Sequence, residues 1–162
     1  MDNNVIIVPS VAGDILELKD SLRTEDIAEC QACGHTPIEA LTYGYVWSEC
    51  YSAKVNGKTE AMFGVSSYKQ PEGFGLVWYL GSDESFRHPV TLVKGGREYV
   101  EKWLEKFNVL YNAVDARNLR HIAWLKHIGF TFTESADVNG FEFLQFYKTK
   151  ESRKCVIYQQ SD

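Results

Sequence analysis

Several groups of residues in this chain could do chemistry. Cys30-x-x-Cys33-Gly-His35 offers two thiols and an imidazole at a spacing found in half of a structural zinc site. A closed zinc site takes four ligands, and Cys50 and Cys155 do not form a second pair, so no bound metal is expected. On a helix, Cys30 and Cys33 share one face and read as small buried thiols. Glu49, Asp83, Glu84 and Asp115 are the carboxylates nearest strand ends, where a general base could lie, and Glu49 and Asp115 are the candidates for that role. The plainer reading of Asp115-Ala-Arg117-Asn118 is a helix cap with a local ion pair. Lys94-Gly95-Gly96-Arg97 sets two glycines between cations and could accept phosphate at a late helix start. Two glycines also let a helix lie close to a sheet, at a helix cost of about 1 kcal/mol each. His121 could move a proton beside Asn118, or simply be exposed or hydrogen-bonded. Arg120, Trp124 and His127 fall at i, i+4 and i+7, with Leu119, Ile122 and Ala123 expected to face inward. An aromatic between two cations suits a partner-contact patch, and the alternative is that the C-terminal tail covers Trp124.

The elements that must position these groups follow from period and punctuation. Val5 to Pro9 reads as a strand, and Ile15, Leu18 and Leu22 recur at helical spacing from Val11 to about Leu22. Thr24 opens a second helix ending at Gly34, and Thr36-Pro37 opens a third through Val46. The period then changes to two. Strands are expected at Cys50 to Val55, Glu60 to Ser67 and Leu76 to Leu80, the first two joined by an Asn56-Gly57 hairpin. Pro89 starts a long helix whose stripe is Val93, Val100, Trp103, Leu104 and Phe107. A strand at Val109 to Val114, the helix of NLRHIAWLKHIGF, a strand at Phe130 to Thr133 and a last strand at Phe141 to Tyr147 complete the order. This predicts one domain over residues 1 to 148, a helix-flanked mixed sheet, and a polar tail over 149 to 162.

At 162 residues the chain can bury about 68–70% of its unfolded surface, enough for one sizeable core. A net charge of -5 gives it no electrostatic reason to coat nucleic acid or anionic lipid. No apolar run approaches the roughly 18 residues of a membrane helix. The start, MDNNVIIVPS, has no signal-peptide pattern, and four cysteines without a framework suit a reducing compartment. A soluble, intracellular protein is expected.

The segment NLRHIAWLKHIGF resembles one from the GNAT family of N-acetyltransferases, in which Asn follows the fifth strand and Gly-Phe opens the sixth. Asn118 and Gly129-Phe130 stand at that spacing. Over residues 3 to 147 the chain is also similar to GNAT-like proteins encoded by tailed bacteriophages, relatives of a small internal virion protein of short-tailed phages. The pattern runs through RTEDIAE from Arg23, GHTPIEAL from Gly34, AMFGV from Ala61, WYLGSDE from Trp78 and DARN from Asp115. The resemblance implies a GNAT-like α/β (mixed α+β) fold, one mixed sheet of about six to seven strands with a splayed pair. It also implies acetyl-CoA between the Leu76–Leu80 and Val109–Val114 strands. Backbone at Tyr79, Leu80 and Gly81 would hold pantetheine, Asn118 would touch the coenzyme arm, and phosphates would sit against Lys94 to Arg97.

Two departures weaken that implication. GNAT enzymes follow the fourth strand with Arg/Gln-x-x-Gly-x-Gly/Ala, a cradle for pyrophosphate; here the stretch after Gly81 has no such pattern and brings Asp83 and Glu84 instead. The position often held by a Tyr acid is Leu125, which has no proton to give. The reading is a bacteriophage GNAT-fold protein with a degenerate acetyl-CoA site, acting through a phage or host protein partner in the virion or the host cytoplasm. The alternative is a working N-acetyltransferase that acetylates an amine.

Overall fold

Asn56 and Gly57 have φ of 52° and 83°, the left-handed pair that a two-residue hairpin turn requires, and they join β2 (Glu49–Val55) to β3 (Lys58–Ser66). Asn139 and Gly140, at 51° and 89°, do the same for β6 (Thr131–Val138) and β7 (Phe141–Thr149). The computed structural model describes residues 4–150. Its other elements are β1 (Val5–Pro9), α1 (Ala12–Leu18), α2 (Thr24–Ala32), α3 (Pro37–Trp47), β4 (Phe74–Gly81), a 3-10 turn (Glu84–Arg87), α4 (Pro89–Trp103), β5 (Val109–Asp115) and α5 (Leu119–His127). Residues 151–162, with Cys155 and most of the expected tail, lie outside the described residues, and Thr149 belongs to β7.

The sheet order is β1-β2-β3-β4-β5-β7-β6, and only β4 and β5 run parallel. A strand–helix–strand connection crosses over and returns parallel, so α4 fixes that pairing. Alternation along the strands separates two cores. Val65, Val77, Leu110 and Val114 pack under α4 and α5, with Trp103, Leu125 and Ile128. Met62 and Leu80 face α1, α2 and α3, with Ile15, Leu18 and Leu41. The result is one mixed sheet between two helical layers. Among the described residues no helix is long and apolar enough to cross a membrane.

Local pattern misjudged several boundaries; the strand expected at Phe130 to Thr133 runs from Thr131 to Val138, and β3 and β4 each begin two residues earlier than expected. α1 stops at Leu18, because Leu22 pairs with Ser82 as an isolated bridge and must be extended there, although it stays buried.

Candidate functional site in the gap between β4 and β5

Pairing of β4 to β5 covers only Phe74↔Val109, Gly75↔Leu110 and Leu76↔Tyr111. Beyond Leu76 the strands diverge, and the main-chain groups that would have paired face a gap. The protein's own side chains take several of them. Asn112 spans the first level: its Oδ1 accepts from Ala113 N–H at 2.7 Å and its Nδ2 donates to the Val77 carbonyl at 2.6 Å. At the mouth, the Gly81 amide donates to Asp26 Oδ2 at 2.9 Å and the Asp115 amide to Glu29 Oε1 at 2.6 Å. The Gly81 carbonyl accepts from the Arg23 amide at 3.0 Å. Strand alternation puts the Tyr79 main chain between these levels, on the same edge.

The groups at the mouth form one buried network. Arg23 is 1% exposed and Asp26 0%, so a charge on either must be answered locally. Arg23 Nη2 donates to Asp26 Oδ1 at 2.7 Å and to Asn118 Oδ1 at 2.9 Å, and Asn118 Nδ2 donates to Asp26 Oδ1 at 3.0 Å. Phe86 lies over the guanidinium, 4.2 Å from ring centroid to Cζ, and packs edge-on against Tyr79 and Trp124. Burial pushes the Asp26 carboxyl up, against the pull of Arg23, the Gly81 amide and Asn118. Burial, with the Asp26 and Asp115 charges beside it, raises Glu29 to about 8. Burial and the neighbouring Arg23 lower His121 to about 3, so its imidazole is neutral. Ligand atoms of Asp26, Glu29 and His121 lie within 4.8 Å of one another. Glu29, Tyr79, Asn112 and His121 all line a cavity of about 310 Å³ whose lining residues come from both faces of the sheet.

No protein-family model matches the sequence, and no curated protein matches it. Solved structures match the whole fold. The aminoglycoside acetyltransferase AAC(6')-Ib in complex with ribostamycin and coenzyme A superposes with a TM-score of 0.70 at 13% identity, over 93% of this chain and 96% of that one. A GNAT-family acetyltransferase from Bacillus anthracis gives 0.70 at 7% identity, over 93% and 98%. The ribosomal-protein-S5-alanine acetyltransferase from Vibrio fischeri gives 0.64 at 12%, over 91% and 94%. The fold is that of the GNAT acetyltransferases.

Several expected site residues sit differently in this GNAT fold. The helix opens at Pro89, so Lys94 to Arg97 lie in the interior of α4 and make no late helix start. Gly96 is needed for packing: a Cβ there would come within 3.0 Å of Ile128 and 3.2 Å of Trp124. Arg97 donates to the His127 carbonyl at 2.8 Å, closing the end of α5. Asn118 lies at the mouth with both its amide atoms engaged by Arg23 and Asp26. Asp115 is clasped by Arg117 at 2.6 Å, and those hydrogen bonds hold its carboxyl below the usual range, the ion pair of the plainer reading. Glu49 pairs instead with Lys106 at 3.3 Å, so the two candidate bases have separate partners. Tyr79, Leu80 and Gly81 close β4, one residue beyond the expected Leu80 end, with the Gly81 amide already given to Asp26.

The partner stripe divides. Arg120 and His127 are exposed, but Trp124 is packed against Tyr79 at 4.7 Å and donates to the Leu92 carbonyl at 3.1 Å. Helix α4 packs against it, and the tail expected to cover it lies outside the described residues. Leu119 is 73% exposed and Ala123 exposed, so the inward face is Asn118, His121, Ile122 and Leu125. Cys30 is buried and its thiol pushed up to about 12, chiefly by burial, while Cys33 is exposed. Sequence reasoning missed Arg23, Asp26 and Glu29 as site residues. Their three-residue spacing, which puts them along one helix face, was the available signal.

The residues present fit acetyl-CoA poorly. A doubly negative pyrophosphate would meet Asp83, Glu84 and a helix opened by a proline, with no glycine turn before it. Pantetheine reaching the Gly81 or Asp115 amide would have to displace Asp26 or Glu29.

Proposed function

We propose that this GNAT-fold chain is a binding protein whose acetyl-CoA seat is degenerate. The observation that carries this is the pair of carboxylates on the mouth amides, half-buried Glu29 on Asp115 and buried Asp26 on Gly81, the latter held by Arg23 and Asn118. Leu125, buried where an acid would be wanted, supports it. We read the chain as a bacteriophage protein, virion-associated or acting on the host. The support is the run of motifs from RTEDIAE to WLKHIGF. Arg120 and His127, exposed on α5, are the side chains offered to a phage or host protein partner.

Titration calorimetry with acetyl-CoA tests the degeneracy. Binding weaker than about 1 mM is expected, and a micromolar dissociation constant, about 8 kcal/mol of binding, would overturn it. Peptide mass spectrometry of purified particles and infected-cell lysate tests the phage role; a chain found only in uninfected cells would end that reading. A second reading, an active N-acetyltransferase, is favoured by the Tyr79 main chain left facing the gap. It would require measurable acetyl transfer to an amine, lost on Asn118→Ala.

A further inference from the structure

The outer side of α3 is apolar where solvent favours charge. Leu41 and Gly44 are buried on its inner side, while Ile38, Glu39, Thr42, Tyr43, Val46 and Trp47 are exposed on the other. These recur at i, i+1, i+4 and i+5, so they form two adjacent ridges along the helix. Glu39 is the only charge among them. A surface helix ordinarily turns a polar face to water, and one that is apolar on both sides is ordinarily covered. The four apolar side chains are between 42% and 57% exposed and leave roughly 400 Å² in water, the size of patch that marks a contact surface. Trp47 is held in place there. Its ring stacks on Tyr68 at 3.8 Å, and its carbonyl accepts from the Ser66 hydroxyl at 2.6 Å. An aromatic fixed before binding loses little entropy when it is covered.

We infer that a second copy of this chain covers this face, with the two α3 helices antiparallel about a two-fold axis near Thr42 and Tyr43. Charge selects that arrangement. Glu39 stands at the N-terminal end of the face. At the other end Lys69 lies over the Tyr68 ring, 5.3 Å from its centroid, and Tyr68 is the ring stacked on Trp47. Antiparallel helices bring Glu39 of each copy to the Lys69 end of the other, whereas parallel helices would set Glu39 against Glu39. The same patch serves both copies, as a two-fold contact requires. Two such patches, with Tyr68 and Lys69 at the rim, bury about 1,000–1,200 Å² in all, at the lower limit for a specific interface. The dimer is therefore a weak one, with a dissociation constant on the order of 10–100 μM. It leaves Arg120 and His127 of α5 accessible, because α3 and α5 pack on opposite sides of the sheet.

The test is sedimentation equilibrium of the full chain from about 1 to 500 μM, a range that brackets the expected constant. The mass should rise with concentration from that of one chain, 18.5 kDa, toward twice that value. Tyr43→Glu sets two carboxylates face to face across the axis. It should raise the dissociation constant at least tenfold while circular dichroism stays unchanged, since Tyr43 is exposed in the single chain. Lys69→Glu should raise the constant about fivefold, the worth of two rim ion pairs, and adding Glu39→Lys to it should restore the dimer. A wild-type chain that stays monomeric throughout would overturn the inference and give the face to another segment or another protein. So would a dimer that Tyr43→Glu leaves as strong, or a Lys69→Glu dimer that Glu39→Lys fails to restore.

Discussion

Replacing Glu29 by Gln should change how stability depends on pH. In the folded protein this carboxyl is raised from the ordinary 4.5 to about 8, first by burial and then by the Asp26 and Asp115 charges, while the Asp115 amide pulls the other way. Between those values the folded chain holds a proton that the unfolded chain has released. Stability contributed by the protonated group is therefore fully present below pH 4.5 and is lost as pH rises toward 8. At roughly 1.4 kcal/mol per pH unit, a sealed carboxyl would lose about 5 kcal/mol across that window. Glu29 keeps part of its surface in solvent, so about 2–3 kcal/mol is the reasonable expectation. Gln keeps an acceptor for the Asp115 amide and carries no charge at any pH. Melting of the two proteins should coincide near pH 4.5, and at pH 8.5 Glu29→Gln should melt about 5–10 °C higher for a chain of this size. His121 works in the opposite sense, since its folded value of about 3 costs stability as pH falls below 6.5. Comparing the two proteins at each pH removes that contribution. Parallel melting curves from pH 5 to 8.5 would refute the reasoning and mean that Glu29 is ionised and well solvated.

Arg23→Met would leave the Asp26 carboxylate buried without its cation and should lower stability by about 3–5 kcal/mol, read from the urea midpoint. Gly44→Ala should destabilise by about 1–3 kcal/mol, since its Cβ would sit 2.5 Å from the Trp78 ring. Gly95→Ala, with only an ordinary 3.4 Å contact to Ile7, should gain about 1 kcal/mol of helix propensity. Trp124→Ala should cost about 3–5 kcal/mol in thermal or urea melts, as for a core aromatic; a loss below about 0.5 kcal/mol would return Trp124 to the surface.

Much of the fold was legible because it depends on neighbours in the chain. Positive-φ Asn-Gly pairs, Pro37 and Pro89 at helix starts and the switch from period 3.6 to period 2 are local steric facts. With them came the order of elements and, through the α4 crossover, a parallel β4–β5 pair, while the gap beyond it was an implication of the GNAT resemblance. The content of the gap was a different matter. Asp26 reads as an acid in the first turn of a helix, and nothing local says that it and Glu29 reach the Gly81 and Asp115 amides. Asp26 and Asn118 are 92 residues apart, and only the packing of α2 against the strand ends brings them together. Trp124 shows the same division. Its place on the Arg120–His127 stripe is set by the helical period, but the missing side chain of Gly96 lets α4 approach closely enough to cover it. Periodicity fixes which face of an element a residue occupies; what that face meets is decided by shape and burial summed over distant parts of the chain.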